Sequence, residues 1–126
     1  MANQVIKTAN APAPIGPYNQ AILAGSTLYI SGQIALDPAS GDLLNESVAM
    51  EATQVMKNLN AVLEAAGMSF TDVVKTTIYL TDMALFNEVN EIYKESFTSN
   101  NPARETVAVV GLPKNVNVEI SMIAVK

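Results

Sequence analysis

The feature that most constrains this chain is a change of hydrophobic period along its length. From residue 116 to 125, Val116, Val118, Ile120, Met122 and Ala124 alternate with Asn117, Glu119, Ser121, Ile123 and Val125. A period of two belongs to a strand, whose successive side chains point to opposite faces of a sheet. Between residues 48 and 66, Val48, Ala52, Val55, Met56, Leu59, Val62, Leu63 and Ala66 instead recur every three or four positions, the spacing of one helix face, and Gly67 follows as a terminator. Sheet and helix must therefore share one core.

The same reading extends along the chain. Residues 5–8 suit a short edge strand, and Asn10-Ala-Pro-Ala-Pro-Ile-Gly-Pro17 forms a shaped, extended loop, because three prolines and a glycine forbid regular structure. Residues 18–24 and 27–34 read as strands around the two-residue turn Gly25-Ser26, and Asp37-Pro-Ala-Ser-Gly-Asp42 is turn chemistry. Residues 72–80 suit another strand, with Thr81-Asp82 capping a helix whose apolar stripe is Leu85, Phe86, Val89, Ile92, Tyr93 and Phe97. Glu88, Glu91 and Glu95 form the solvated side of that helix, and Met50, Met56, Met68 and Met122 read as core filler. Ser99-Asn-Asn-Pro102 stops the helix before a strand over residues 105–110, and Gly111-Leu-Pro-Lys-Asn115 turns into the last strand.

The expected order is β-β-β-α-β-α-β-β, an α+β fold with a mixed sheet and two helices packed on one face. The 126 residues fit one domain. The other sheet face, carrying Ile123, Val125 and Tyr79, is left uncovered, and a ring of copies of the chain would bury it.

Composition then narrows the chemistry. The chain has no Cys, His or Trp, which removes thiolate nucleophiles, Ser-His-Asp triads, imidazole catalysis, and zinc sites with Cys or His ligands. Seven basic residues face twelve acidic ones for a net charge of −5, and Arg104 is the sole guanidinium. Scattered basic residues do not make a nucleic-acid footprint. No run approaches the ~18 apolar residues of a membrane span, and the first residues lack a signal-peptide pattern. The expectation is a soluble, cytoplasmic protein.

Four places could carry chemistry. Arg104, expected at the junction of a helix end and a strand start, has the planar fork that grips a carboxylate or phosphate, or else it pairs with Glu105 or another acid. Glu119 is the odd residue in an apolar strand. It lies either on a wet face or in a pocket, where burial raises a carboxyl toward acid–base duty. Tyr18 offers a hydroxyl after the rigid Pro17, or simply packs. Ser31-Gly32 can present a hydroxyl and a bare amide to an anion, or mark a plain strand end.

Ala13-Pro-Ile-Gly-Pro-Tyr-Asn-Gln-Ala21, Leu28-Tyr-Ile-Ser-Gly-Gln33, Asn101-Pro-Ala-Arg-Glu-Thr-Val107 and Leu112-Pro-Lys-Asn-Val-Asn-Val-Glu-Ile120 together resemble the reactive intermediate deaminase A family, also called the RidA/YjgF family. The resemblance runs through nearly the whole chain. It implies a chorismate-mutase-like fold, a homotrimer with active sites between subunits, and hydrolysis of 2-iminobutanoate, 2-iminopropanoate and their enamine tautomers to 2-oxo acids and ammonia, with no metal and no cofactor. It further implies that Arg104 grips the substrate carboxylate, Glu119 activates water and Tyr18 assists proton transfer. Ser31, Gly32 and Phe86 would line the pocket. Where such deaminases often carry Cys two residues after the arginine, this chain has Thr106, whose backbone amide could contact the anion. The alternative is a trimeric scaffold that binds a carboxylate metabolite without significant catalysis; Glu119 favours the enzyme, since an anion sensor needs the arginine alone. A nuclease reading fits poorly with a −5 chain lacking His.

Overall fold

Residues 2–126 are described by a computed structural model. Six strands, β1 (Gln4–Ile6), β2 (Ala21–Ala24), β3 (Thr27–Gln33), β4 (Val73–Leu80), β5 (Ala103–Ala108) and β6 (Val118–Val125), alternate with helices α1 (Val48–Ala65) and α2 (Phe86–Tyr93) in the expected β-β-β-α-β-α-β-β order. They form one sheet in the spatial order β1-β2-β3-β6-β4-β5. Neighbours are antiparallel except β4 and β5, which run parallel because α2 carries the chain back between them.

The core lies between the sheet and the two helices. Leu28 and Ile30 of β3, Ile78 and Leu80 of β4, and Ile120, Met122 and Ala124 of β6 pack against Val55, Leu59, Val62 and Leu63 of α1 and Val89 and Tyr93 of α2. Ser47 caps α1 by accepting from Met50 N at 3.0 Å, and Gly67 ends it at φ +72°. Met56, Met68 and Met122 are core residues, but Met50 is exposed: Glu51 occupies the inward position on that turn. On the opposite sheet face, Val5, Ile22, Tyr29 and Ile123 form a row across four strands, with Tyr79, Val107 and Val125 beside it. Of these, Val5, Tyr29, Val107 and Val125 are exposed.

Several boundaries differ from expectation, each for a local reason. β1 ends at Ile6, and the Thr8 N–H goes to Gln20 Oε1 at 2.8 Å instead of a ladder. β2 begins only at Ala21, since the Tyr18 N–H turns back to Gly16 O at 2.9 Å. α2 is shorter than its apolar stripe: single 3-10 turns at Met83–Leu85 and Lys94–Ser96 flank it, closed by Leu85 N to Asp82 O and Phe97 N to Lys94 O at 3.1 Å. β5 starts two residues early, so Arg104 is a strand residue with a set direction and does not sit in a loop junction. Among the described residues no helix is long and apolar enough to cross a membrane.

Leu59 is fully buried where α1 meets the sheet. Leu59→Ala is expected to cost about 2–5 kcal/mol in denaturant unfolding, the usual range for a cavity-forming core truncation; a loss below about 1 kcal/mol would show that the helix–sheet contact is not the main source of stability.

Candidate active site in two halves

The first half is built around an irregularity in β3. Ile30 pairs with Met122 and Gln33 with Ile120, so Ser31 and Gly32 together face the single residue Ser121. Such a bulge bends the strand and re-aims what lies on it. A Cβ added at Gly32 would stand 2.0 Å from Glu119 Oε2 and 2.9 Å from its Cδ, so the carboxyl of Glu119 fits against this backbone only because residue 32 is glycine.

The proline-rich loop closes over this spot, held by the buried amide of Gln20. Its Nε2 donates to the carbonyls of Thr8, Ala11 and Pro12 at 3.0, 3.2 and 2.9 Å. Ser31 Oγ donates to Asn19 O at 2.6 Å, tying the bulge to the loop. The Tyr18 hydroxyl accepts from Ile15 N at 3.3 Å, which leaves its own proton free to donate. The result is a cavity of about 350 Å³ lined by Tyr18, Ser31, Gly32 and Glu119 together with apolar walls such as Ile34 and Leu36. That volume suits a small metabolite. Glu119 is half-buried there, and burial pushes its carboxyl above the ordinary value. Of the two settings open to Glu119, the pocket is the one found.

The second half lies along β5. Register pairs Arg104 with Thr76 and Thr106 with Ile78, both of which face the helices. Arg104 Nη1 donates to Asn90 Oδ1 at 2.7 Å, and its guanidinium carbon lies 5.5 Å from the ring centre of Phe86 and 5.1 Å from that of Tyr93. Aromatic faces attract a cation without neutralising it. Tyr93 is itself fixed by donating to Thr76 Oγ1 at 3.0 Å, which sets the ring beneath the guanidinium. Glu105, the nearest candidate for an ion pair, points to the other face, where it pairs with Lys75 at 3.0 Å and accepts from Thr77 Oγ1 at 2.5 Å. Among the described residues no acid pairs with Arg104. A second cavity of about 460 Å³ opens beside Arg104, Asn90, Asn101 and Pro102. Two residues along on the same face of β5, the Thr106 hydroxyl is buried with no partner among the described residues.

The structure thus brings Tyr18, Ser31, Gly32 and Glu119 together, and brings Arg104 against Phe86 with Thr106 two residues along on the same face of β5, but it does not join the two sets. Glu119 pairs with Tyr79, which faces away from the helices, whereas Arg104 and Thr106 face toward them. Sequence reading missed Asn90, whose signal was available: it lies four residues after Phe86 and three before Tyr93, a polar residue on an otherwise apolar stripe. Gln20 and the buried Glu51 carried no comparable signal. Among the described residues no cluster of His, Cys, Asp or Glu could hold a metal ion.

Two outcomes follow from this geometry. Gly32→Ala should drive the Glu119 carboxyl out of its seat, visible as a changed rotamer in a crystal structure of the variant; an unmoved carboxyl would contradict the close approach. A carboxyl with a raised pKa lets the folded state hold its proton to higher pH than the unfolded state, so its contribution falls as pH rises through that window. Glu119→Gln lacks the titration, and its thermal stability relative to the parent should improve from about pH 4 to about pH 7. An unchanged difference would mean that Glu119 is not desolvated.

Comparison with known proteins agrees along the whole chain. Residues 8–126 match the family described as Endoribonuclease L-PSP. A human protein named 2-iminobutanoate/2-iminopropanoate deaminase is 52% identical over 100% of this chain and 92% of its own length. A Yersinia pestis protein of unknown function from the conserved Rid family superposes with a TM-score of 0.96 at 46% identity, covering 99% of this chain and 100% of that one. The E. coli protein TdcF, solved with bound serine, superposes with a TM-score of 0.94 at 39% identity over 98% of both chains. On matching sequence and matching architecture, this chain belongs to the Rid family, also called YjgF.

Proposed function

We propose that this protein is a 2-iminobutanoate/2-iminopropanoate deaminase that hydrolyses reactive imines and enamines to 2-oxo acids and ammonia. The observation that carries the reading is the complementarity of the two half-sites: a guanidinium with no acid partner, and a carboxyl of raised pKa held against bare backbone. The human relative is named for this activity, and TdcF binds serine, a small molecule carrying a carboxylate and an amine.

In this reading Arg104 anchors the substrate carboxylate bidentately, with Asn90 orienting the fork, Phe86 flanking it, and Thr106 offering its backbone amide to the same anion. Glu119 accepts a proton from water as the oxygen adds to the imine carbon. Tyr18 hands a proton to the nitrogen as the carbinolamine forms, Glu119 passes its proton on to the same nitrogen, and the C–N bond breaks as the carbinolamine hydroxyl returns a proton to Tyr18, so that ammonia leaves, the 2-oxo acid remains and both groups are restored. Ser31 and Gly32 line the same pocket. Imine hydrolysis is intrinsically easy, so orientation and one proton acceptor suffice, and the step calls for no metal or other cofactor.

Arg104 and Glu119 face opposite sides of one sheet, so the reading requires a second copy of the chain, with each site formed between subunits of a homotrimer. The apolar row Val5, Ile22, Tyr29 and Ile123, in which Val5 and Tyr29 are exposed, supports that assembly. Net charge of −5 and a single arginine, already engaged, argue against nucleic acid as a partner despite the family's description. A cytoplasmic location beside whichever enzymes release such imines, and a role in removing damaging metabolites, belong to the same reading; no membrane partner is invoked.

The test is ammonia and 2-oxo acid release from 2-iminobutanoate generated in situ, with a scavenger control. The parent protein should accelerate release, and Arg104→Lys should lower kcat/KM about 10–100-fold with the oligomer intact, because a point ammonium cannot reproduce the fork. Full activity in Arg104→Lys would overturn the carboxylate clamp. No acceleration by folded parent protein with several imines would favour the carboxylate-binding scaffold.

A further inference from the structure

Helix α1 buries a polar stripe that none of the steps above uses. Glu51, Gln54 and Asn58 are 0%, 9% and 1% exposed, and their spacing of three and four residues sets them on one helix face. Core positions filled this way are costly unless every polar atom is matched. Here the partners are backbone groups on both sides of the Glu119 cavity.

Glu51 Oε2 accepts from Asn117 N at 2.7 Å and Val118 N at 3.0 Å, and Oε1 accepts from Asn117 Nδ2 at 2.9 Å. Those are the two residues immediately before Glu119. Among the described residues no cation pairs with Glu51; its carboxyl rests on these donors and on its place in the first turn of α1. Seven residues on, Asn58 Nδ2 donates to Ile34 O and Leu36 O, both at 3.0 Å. That segment follows Gly32, and Ile34 and Leu36 are walls of the cavity. Gln54 Nε2 donates to Asn58 Oδ1 at 2.9 Å, which turns the Asn58 amide so that its NH₂ faces the two carbonyls.

We propose that Glu51, Gln54 and Asn58 are positioning residues that clamp the backbone beside Gly32 and beside Glu119 to one rigid helix, and so hold the Glu119 carboxyl in its reactive seat. Val116 N–H closes the preceding turn on Pro113 O at 3.2 Å, and the clamp takes up the Asn117 and Val118 N–H groups where β6 begins. Its kinetic consequence rests on the deaminase reading; its geometric consequence does not.

The experiment compares Glu51→Ala and Glu51→Gln in the intact oligomer, following the Glu119 carboxyl by ¹³C NMR titration, with Glu119→Gln to assign the signal, and kcat against pH. The titratable groups facing Glu119 within its own chain are Tyr18 across the cavity and Tyr79 opposite it on β4, the proposed oligomer adds the Arg104 guanidinium of a neighbouring copy, and both variants leave all three unchanged. Both variants also remove the same carboxyl, so any difference between them reports geometry. Glu51→Gln should stay close to the parent: the amide oxygen can accept both backbone N–H groups, and Asn117 can turn its own oxygen toward the new NH₂. Glu51→Ala should move the Glu119 titration down toward the ordinary carboxylate range and lower kcat about 10–100-fold with little change in KM, as a misplaced catalytic group does. A folded Glu51→Ala protein with the parent's Glu119 titration and kcat would overturn the proposal, leaving the stripe a stabilising feature only. Should Glu51→Ala fail to fold, Asn117→Ala removes one of the three bonds, and a smaller shift in the same direction is expected; no shift would overturn it. If the parent hydrolyses no imine, the deaminase reading fails while the titration still decides the clamp.

Discussion

Side chains along a strand alternate between faces, and in this sheet that rule separates the two groups on which the proposed chemistry depends. β5 pairs with β4 so that Arg104 falls over Thr76, toward the helices, while β6 pairs with β4 so that Glu119 falls beside Tyr79, away from them. A shift of one residue in either register would exchange the faces and bury polar groups in the core. The core therefore enforces the separation: Ile78, Leu80, Ile120 and Met122 are all buried on the helix side. In the proposed reading neither half is a complete site by itself. What each half has is preparation, an arginine held by Asn90 and two rings in one, and a desolvated carboxyl against Gly32 in the other.

Helix α1 links stability to this arrangement. Its apolar residues fill the space under β3 and β6, and its polar stripe ties down the ends of those same strands. Loop and bulge are fastened with equal economy. Gln20 gathers three carbonyls of the proline-rich segment, and Ser31 bonds to Asn19, so the lid of the cavity and the glycine floor belong to one hydrogen-bonded unit. Rigid backbone near a reacting group is what an easy hydrolysis needs, since little else has to be supplied.

Much of this was legible in the residues. The alternation from Val116 to Val125 foretold which side chains of β6 are buried, and Gly67 marked the end of α1. Glu119 stood out because a carboxylate is rare on so apolar a strand. What stayed hidden depended on pairing between distant segments. The two choices left open for Arg104 could not be decided while β5 was expected to start at Glu105; once Arg104 is a strand residue, Glu105 must point the other way and meets Lys75. The bulge at Ser31 and Gly32 shows only in the register with β6. The stripe of Glu51, Gln54 and Asn58 was overlooked for a physical reason: apolar periodicity counts the greasy positions of a helix face, and a polar residue on that face counts only once its partners are known.

The central claim is that Arg104 of one copy works with Glu119 of another, and mixing two inactive variants tests it directly. Arg104→Ala and Glu119→Gln proteins, each purified, would be unfolded together in equal amounts, refolded, and assayed for imine hydrolysis. Random assembly gives about one site in four an intact Arg104 from one copy and an intact Glu119 from its neighbour, so about a quarter of the parent activity should return. If the mixture stays as inactive as its components, while mixed oligomers are present by mass, the account of a site completed between copies is wrong.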